Sequence, residues 1–439
     1  MVIAEEVAPA RLAALRILSA VRKGEFADQA FERLAGSLRD VDRRLTQEVA
    51  YGVLRLRGRL DHLLGCLVTG GIEALEPQVL DILRIGAYQL LELDRVPAYA
   101  AVSESVETAR WVGRGRAGGL INAVLRRLSR LDRPQRLFPG RAEDPSGHLV
   151  TWGSHPRWLV ERWLARWPQH DVERLIAYDN RRPALYLSVA EPVEEAIRRL
   201  REAEITATAV EAVPGSVQID SARLGDALGL VRCVVQDPAA TAVVSYMAVE
   251  DGAAVADLCA APGGKAALLA LRGHVVRAFD VSRPRLARVL DTRRRLGLDQ
   301  LQVAVADATR PTLSAAETVL LDVPCTGTGT LARHPDARWR TNPAGLRELQ
   351  RLQMEMLDAA AELVRVGGHL VYATCSLEPE ENEEQVNGFL RRRPDFEAAP
   401  PAAGAVADAM LDAEGWLRIT PQRHRTDGVY AARLRRRAG

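Results

Sequence analysis

The stretch of sequence that decides the fold of the C-terminal region reads Asp257-Leu258-Cys259-Ala260-Ala261-Pro262-Gly263-Gly264-Lys265. It directly follows a strand-like apolar run and opens a helical pattern. Its adjacent glycines let backbone N–H groups approach a ligand closely at the N-terminus of a helix. We therefore interpret it as a ligand-binding loop. A tight strand-to-helix turn with an exposed lysine is the alternative.

The same stretch excludes one common class of ligand. A Walker A loop needs a glycine where Cys259 stands, and it needs a Ser or Thr for Mg²⁺ where Ala266 stands. A nucleoside triphosphate is therefore not the expected ligand. A second glycine pattern, Gly113 to Gly118, has the dinucleotide-binding spacing but follows a helical stretch instead of a strand. We interpret that pattern as an interhelical loop.

Strand-like runs alternate with helical patterns from about residue 238 onward. The runs are Val255 to Cys259, Val275 to Asp280, Val303 to Asp307, Val319 to Asp322 and Leu370 to Cys375. This alternation predicts a parallel, doubly wound α/β sheet of the Rossmann-like type. Such sheets bind ligands beyond the carboxyl ends of their strands, which is where these runs place their aspartates and cysteines.

Aspartates end three successive runs of this region. Asp280 lies sixteen residues beyond Gly264, where an acidic side chain can bond ribose hydroxyls. Asp307 could accept a hydrogen bond from an adenine amine, and Asp322 ends the next run. Each aspartate alone could equally be a helix N-cap. Together they predict a site for an adenosine-containing ligand without a polyphosphate.

The cysteines predict free thiols and no metal site. Five cysteines are an odd number, they are widely separated, and they form no CxxC pair or Cys/His cluster. We expect Cys66 and Cys233 to be small buried hydrophobic residues. Cys325 and Cys375 differ from Cys66 and Cys233, because both of them lie at the predicted ligand-binding edge of the sheet.

The N-terminal region, residues 8 to about 132, carries apolar residues at helical spacing and little strand-like alternation. We predict an all-α domain there. Its polar faces are rich in arginine, which predicts a surface that contacts nucleic acid, with an ordinary solvated face as the alternative. These arginines are Arg43, Arg44, Arg55, Arg57, Arg59, Arg110, Arg114, Arg116, Arg126, Arg127 and Arg130.

Two domain boundaries are predicted, near residues 140 and 237. A segment rich in Pro, Gly and charge, residues 133–147, breaks the helical pattern. Short apolar runs between 184 and about 236 flank a helix-like segment, which indicates a small α+β module. The predicted domains are an all-α domain over 1–140, an α+β module over 141–237 and the α/β domain over 238–439.

Tryptophans mark the start of the middle module. Trp163 and Trp167 are four residues apart, so we expect them on one face of a helix. Core packing is the favoured interpretation of this pair, and base stacking is the alternative.

The composition indicates an ordinary globular protein with one unusual feature. The chain of 439 residues has 59 Lys and Arg against 57 Asp and Glu, a net charge of +2, yet only Lys23 and Lys265 are lysines. Coding bias toward GC explains the scarcity, and a lysine that persists is expected where arginine cannot substitute. The N-terminus resembles no signal peptide, and no run reaches the ~18 apolar residues of a membrane span. We therefore expect a cytoplasmic protein that does not contact a membrane.

As a set, three motifs resemble those of the RNA cytosine-5 methyltransferases. They are DLCAAPGGK (257–265), LLDVPCTGTG (320–329) with the following Arg333-His334-Pro335-Asp336, and YATCSLEPEENEEQV (372–386). In addition, Val96 to Glu104 resembles part of a NusB-like RNA-binding domain. Ser154 to Trp163 is similar to the segment before the catalytic part of the RsmB-type group, which acts on small-subunit (16S) rRNA. The resemblance covers nearly the whole chain.

The resemblance implies an S-adenosylmethionine-dependent enzyme with a class I methyltransferase domain that methylates the 5-carbon of a cytosine in 16S rRNA. It implies that Cys375 is the nucleophile, that Cys325 assists release, and that Asp322 bonds the base and lies near the methyl donor. The implied cofactor-binding residues are Cys259, Ala260, Ala261, Pro262, Gly263, Gly264, Lys265, Asp280, Asp307 and Asp322. The implied partner is 16S rRNA or a small-subunit assembly intermediate, bound by a monomer without a metal.

Two departures from the family pattern and three alternatives stay open. Thr326 stands where serine is common, and Val429-Tyr430 replaces two aromatics, which predicts altered packing beside the target base. The alternatives are an enzyme for tRNA or another rRNA site, a DNA cytosine-5 methyltransferase, and a non-catalytic RNA-binding assembly factor. The DNA family is disfavoured because its nucleophile is the Pro-Cys cysteine. An inactive factor is disfavoured because Asp322, Cys325, Cys375 and Lys265 are all present.

Overall fold

The computed structural model describes residues 9–220, 223–311, 313 and 315–438. Its helices are α1 (Pro9–Arg22), α2 (Ala27–Ala35), α3 (Asp40–Leu67), α4 (Pro77–Glu92), α5 (Ala98–Trp111), α6 (Gly118–Ser129), α7 (Pro145–Thr151), α8 (Arg157–Arg166), α9 (Gln169–Asp179), α10 (Val193–Glu202), α11 (Leu224–Leu230), α12 (Pro238–Tyr246), α13 (Gly264–Leu271), α14 (Arg283–Leu296), α15 (Ala337–Arg340), α16 (Pro343–Leu363), α17 (Glu383–Arg392) and α18 (Pro421–His424).

The strands and the short 3₁₀ helices complete the chain. The strands are β1 (Leu185–Val189), β2 (Ala207–Ala209), β3 (Ser216–Ile219), β4 (Cys233–Val235), β5 (Ala254–Asp257), β6 (Val275–Asp280), β7 (Leu301–Val305), β8 (Ala316–Asp322), β9 (Val364–Thr374), β10 (Phe396–Ala398), β11 (Leu417–Ile419) and β12 (Val429–Arg436). The 3₁₀ helices are Gly115–Ala117, Pro134–Leu137, Pro379–Glu381 and Asp408–Met410. None of the helices in the described ranges combines the length and the apolar character that crossing a bilayer requires.

The described residues form two compact units. Unit 1 comprises Met1–Arg181 together with Leu331–Asn342, and unit 2 comprises Arg182–Thr330 together with Pro343–Gly439. The backbone of unit 1 is helical, and its main core is built by residues of helical spacing such as Leu15, Leu60 and Leu83. The all-α prediction for the N-terminal region is therefore confirmed. The glycine pattern that begins at Gly113 lies in the connection between α5 and α6 and ends at Gly118, the first residue of α6, as the interhelical prediction requires.

A short excursion of the chain completes unit 1. After Thr330 the chain leaves unit 2, contributes Leu331–Asn342 to unit 1, and returns at Pro343. Arg338 anchors this excursion with a side chain that is 0% exposed. Its guanidinium donates to the carbonyl oxygens of Arg55 (3.1 Å), Ser154 (3.1 Å), Asp179 (3.1 Å) and Leu331 (3.2 Å) and to Asn180 Oδ1 (2.9 Å). Burial lowers the pKa of Arg338 to about 9, so the guanidinium is still protonated at neutral pH.

We expect Arg338→Ala to destabilise unit 1 by about 3 kcal/mol or more, because it leaves several buried carbonyl oxygens without a donor. Six of the seven tryptophans belong to unit 1, so tryptophan fluorescence during urea unfolding reports mainly on this unit. Arg127→Ala, on the exposed face of α6, is the matched control and should change the free energy of unfolding by about 0.5 kcal/mol at most. Equal unfolding midpoints for the two variants would contradict the anchoring role.

Unit 2 contains a small antiparallel sheet with strand order β2-β3-β1-β4. Its apolar face packs against α10 and α11 around Leu187, Leu200 and Val217, which are all 0% exposed. This arrangement confirms the predicted small α+β module.

The larger sheet of unit 2 has the strand order β10-β12-β9-β8-β5-β6-β7, with β11 paired to β12. Strands β9, β8, β5, β6 and β7 are parallel, and β12 runs antiparallel to β9. Chain order reverses beside β5, whose neighbours are β6 and β8, so a crevice is expected at the carboxyl end of β5. The predicted α/β fold is thus confirmed, and the antiparallel strands extend the sheet beyond β9.

Two sequence predictions are wrong. Trp163 and Trp167 do not share a helical face, because α8 ends at Arg166 and Trp167 is extended with φ −125° and ψ 151°. Pro168 follows Trp167 and disfavours helical backbone there. Cys66 is exposed instead of buried, because the buried side of α3 at this level is formed by Leu63, Leu64 and Leu67. Cys233 is buried as expected.

Candidate active site

The loop between β5 and α13 is built to bring backbone close to a ligand. Two hydrogen bonds attach the loop to the end of β6: Ala260 N donates to Phe279 O (2.7 Å), and Ala261 N donates to Asp280 Oδ2 (3.2 Å). Gly263 has φ +108°, and a Cβ there would lie 3.0 Å from a methyl carbon of Val289. Glycine is therefore required at 263 for both backbone conformation and space.

Two of the predicted cofactor-binding aspartates already bond the chain's own backbone. Asp280 is buried at the end of β6, where Oδ1 accepts from Ser282 N (2.8 Å) and Oδ2 from the loop at Ala261. Asp307 is exposed just beyond β7, and its Oδ1 accepts from the backbone N–H (2.9 Å) and hydroxyl (2.8 Å) of Thr309. These bonds lower the pKa of Asp307. Asp307 thus bonds the turn at residues 308–310, which is not the helix N-terminus that the sequence left as an alternative.

A cluster of charge lies where β5 and β8 end. Lys265 Nζ donates to Asp322 Oδ2 at 2.7 Å. Burial alone would lower the pKa of the Lys265 ammonium, but the charge of Asp322 and this hydrogen bond outweigh burial and raise it. Asp257 is 1% exposed, and its Oδ1 has no hydrogen-bond partner among the described residues. Burial, followed by the charge of Asp322, raises the pKa of Asp257 to about 8.

Cys325 and Cys375 meet at this edge of the sheet. Cys375 directly follows β9, Cys325 follows β8, and their Sγ atoms are 3.2 Å apart. The hydrogen bond with Cys375, then burial, raises the pKa of the Cys325 thiol. The two sulfurs are within hydrogen-bond distance, and either of them could be the donor. Cys259 lies in the β5–α13 loop, where burial and the charge of Asp257 raise the pKa of its thiol, so it is poorly suited to be a nucleophile.

Hydrogen bonds connect the loop after Cys325 with the segment that carries Cys375. Gly329 N donates to Cys375 O (2.9 Å), and Leu377 N donates to Thr328 Oγ1 (2.9 Å). The segment that departs from the family pattern packs nearby, with Tyr430 paired to Thr374, the residue before Cys375, in the β12–β9 ladder. Tyr430 is 1% exposed, so its ring is part of the core under the site.

Sequence reasoning missed two residues of this site. Asp257 ends β5 just as Asp280 and Asp322 end their strands, so the same strand-end rule would have found it. Glu381 lies in the acidic run after Cys375, which reads as a solvated helix start, yet the side chain is 0% exposed and bonds Thr326 beside Cys325. No local pattern in the sequence indicates that inward contact.

Comparison with known proteins assigns each part of the chain. Residues 244–435 match the model for the 16S rRNA methyltransferase RsmB/F, residues 8–130 match the NusB family, and residues 155–224 match the RsmF/B-like ferredoxin-like domain. A probable ribosomal RNA small subunit methyltransferase B of Synechocystis sp. is 33% identical over 97% of this chain and 99% of its own length.

A ribosomal RNA small subunit methyltransferase B of Cronobacter sakazakii is 36% identical over 88% of this chain and 90% of its own. The chain belongs to the RsmB/F family of 16S rRNA methyltransferases. Among solved structures, the crystal structure of PH0851 superposes with a TM-score of 0.77, is 27% identical, and covers 97% of this chain and 99% of its own. Family membership confirms the RNA methyltransferase predicted from the motifs, including its NusB-like N-terminal domain.

Proposed function

We propose that this enzyme transfers a methyl group from S-adenosylmethionine to the 5-carbon of a cytosine in small-subunit (16S) rRNA through a covalent adduct between Cys375 and the 6-carbon. The observation that carries the proposal is the pair of cysteine sulfurs 3.2 Å apart, each just beyond a strand end. The substrate, naked 16S rRNA or a small-subunit assembly intermediate, is inferred from the names of the relatives. The domain limits at 140 and 237 are proposed from the sequence alone.

The residues of the site fit the proposed cofactor. Asp322 and Asp280 place carboxylate oxygens at this edge of the sheet, which suits a ligand with cationic amine and sulfonium groups. The buried Asp257 Oδ1 lacks a partner among the described residues, and the backbone of the loop 259–264 can be approached closely. When bound, S-adenosylmethionine supplies an electrophilic methyl group. Asp280 and Asp307 would hold its ribose and adenine.

The chemistry requires a thiolate because the 5-carbon of cytosine is a poor nucleophile. The Cys375 sulfur adds to the 6-carbon, and the electron pair of the 5,6 double bond moves onto the ring, which makes the 5-carbon able to accept the methyl group. The Cys325 thiol, whose sulfur is 3.2 Å from that of Cys375, is placed to donate a hydrogen bond to the sulfur as it attacks. Asp322 accepts from the exocyclic amine of a base that has been unstacked to enter the site, and from the ring nitrogen once addition of the thiolate has made that nitrogen take up a proton.

Release requires the 5-carbon to lose its proton and the sulfur–carbon bond to break. Once Cys375 is bound to carbon, the thiolate that opposed ionisation of Cys325 is gone. Cys325 then gives its proton to water and accepts the proton from the 5-carbon. The electron pair of that carbon–hydrogen bond restores the 5,6 double bond, and the pair of the sulfur–carbon bond returns to Cys375.

Methyl transfer to several nucleic acids tests the proposal. The enzyme is incubated with radiolabelled S-adenosylmethionine and with 16S rRNA, an assembly intermediate of the small subunit, tRNA or DNA, and the labelled nucleotide is identified by digestion and chromatography. We expect 5-methylcytosine at one position of 16S rRNA. Labelling of tRNA alone, or methylation of another atom, would overturn the proposal.

We expect Lys265→Arg to weaken cofactor binding or turnover by about tenfold, the equivalent of one charge-assisted hydrogen bond. A planar guanidinium cannot replace the compact ammonium that reaches Asp322 at 2.7 Å within a largely buried space. Calorimetric titration with S-adenosylmethionine and steady-state rates measure the two effects. Lys23→Arg, at the exposed end of α1, is the matched control. Unchanged affinity and turnover in Lys265→Arg would mean that any cation serves at 265.

A further inference from the structure

A buried carboxylate holds the loop that carries Cys325. Glu381 is 0% exposed. Its Oε1 accepts from Thr326 N (2.9 Å) and from Gln353 Nε2 (2.9 Å), and its Oε2 accepts from the Thr326 hydroxyl. All of these partners are donors, and a carboxylate only accepts when it is ionised. Burial raises the pKa of Glu381, and the hydrogen bonds from Thr326 and Gln353 oppose that rise because they favour the charged form.

Glu381 is connected to the residues on both sides of Cys325, directly on one side and through Gln353 on the other. Thr326 follows Cys325, and Gln353, which donates to Glu381, also donates to the carbonyl oxygen of Pro324 at 2.9 Å. Glu381 itself lies in the 3₁₀ helix after Cys375, and Tyr372 on β9 fixes that helix by donating to Glu381 O at 2.7 Å. One carboxylate thus joins the loop of one sulfur to the segment that follows the other.

A second link joins the same loops. The hydroxyls of Thr326 and Ser376 are 3.1 Å apart, and Ser376 directly follows Cys375. The negative charge of Glu381 also adds to the effects that raise the pKa of Cys325. Glu381 therefore acts on Cys325 both through geometry and through charge.

We propose that Glu381 is the positioning residue for Cys325: through Thr326 and Gln353 it sets the distance between the two sulfurs. This inference rests on the proposed function, in which Cys325 acts in release and Cys375 in attack. Loss of Glu381 should therefore impair release more than the first methyl transfer. A residue needed only for folding would impair both steps together.

The test compares Glu381→Gln with the wild-type enzyme on 16S rRNA. A neutral amide has one accepting oxygen where the carboxylate has two, so at least one donor of Thr326 or Gln353 loses its partner. We expect the covalent protein–RNA adduct, measured on denaturing gels, to rise about tenfold at steady state. Methyl transfer in the first turnover should stay within about threefold of wild type. The midpoint of the pH profile for release should fall by about one unit, because a charge that opposes ionisation of Cys325 is removed.

Matched variants keep the test decisive. Glu384→Gln changes an exposed glutamate three residues away and should behave as wild type. Thr326→Ser keeps the hydroxyl and should also behave as wild type, whereas Thr326→Val removes it and should accumulate adduct. If Glu381→Gln does not fold, the contrast between Thr326→Val and Thr326→Ser decides the question.

The possible outcomes separate this inference from the proposed function. Wild-type enzyme that forms no 5-methylcytosine, or Cys325→Ala that traps no adduct, would overturn the proposed function. If both of those results are as expected but Glu381→Gln shows the wild-type adduct level and pH midpoint, only the role of Glu381 is overturned. Equal loss of first-turnover transfer and release in a folded Glu381→Gln would likewise contradict a specific role at Cys325.

Discussion

Cys375→Ala should lose methyl transfer to 16S rRNA by at least about 1,000-fold, because the variant has no nucleophile for the 6-carbon of the base. The neighbouring Cys325 cannot replace it, since Cys325 lies on a different loop and its sulfur is 3.2 Å from the position of the Cys375 sulfur. Initial rates with radiolabelled S-adenosylmethionine measure the loss.

Cys66→Ala is the matched control for this experiment. Cys66 is a free thiol on the exposed side of α3, far along the chain from the site, so its removal should leave the rate unchanged. Binding of S-adenosylmethionine to Cys375→Ala should also persist, because the loop 259–265 is intact. Retained turnover in Cys375→Ala would refute the assigned roles of both cysteines.

The second large effect is expected from Cys325→Ala. This variant keeps the nucleophile and loses the group that accepts the proton from the 5-carbon, so the methylated adduct should form and then persist. We expect steady-state turnover to fall by about 100-fold and most of the enzyme to migrate with RNA on a denaturing gel. Mass spectrometry of the digested adduct should locate the bond at Cys375.

The double variant Cys325→Ala with Cys375→Ala is the control for trapping. It should form no adduct, because the sulfur that bonds the base is absent. An adduct that persists in the double variant would mean that another nucleophile attacks the base. An absence of adduct in Cys325→Ala would mean that release does not depend on Cys325.

Much of the site could be predicted because its residues follow strand ends. Asp280, Asp322 and Cys375 each lie at or just after the end of a parallel strand, and parallel strands present these ends at one edge of a sheet. Alternating periodicity therefore sufficed to bring distant motifs to the same edge. Asp307 was found by the same rule, although its observed contacts are with Thr309.

Other features could not be predicted because their partners are far away in sequence. Arg338 donates to the carbonyl oxygen of Arg55, 283 positions away, and nothing around Arg338 distinguishes it from the other arginines of this chain. Glu381 lies in an acidic run that reads as solvated but turns inward to Thr326, 55 positions away. The exposure of the Cys66 side chain likewise depends on which face of α3 the other helices cover.

The sequence by itself determined the classes of the domains, the order of the motifs and the sheet edge at which they meet, because periodicity and strand ends are local properties of the chain. Only the tertiary structure decided the 3.2 Å separation of the two sulfurs, the ion pair of Lys265 with Asp322, and the inward turn of Glu381. Those distances arise where loops from different strands pack together and satisfy each other's buried polar groups, which no single stretch of sequence specifies.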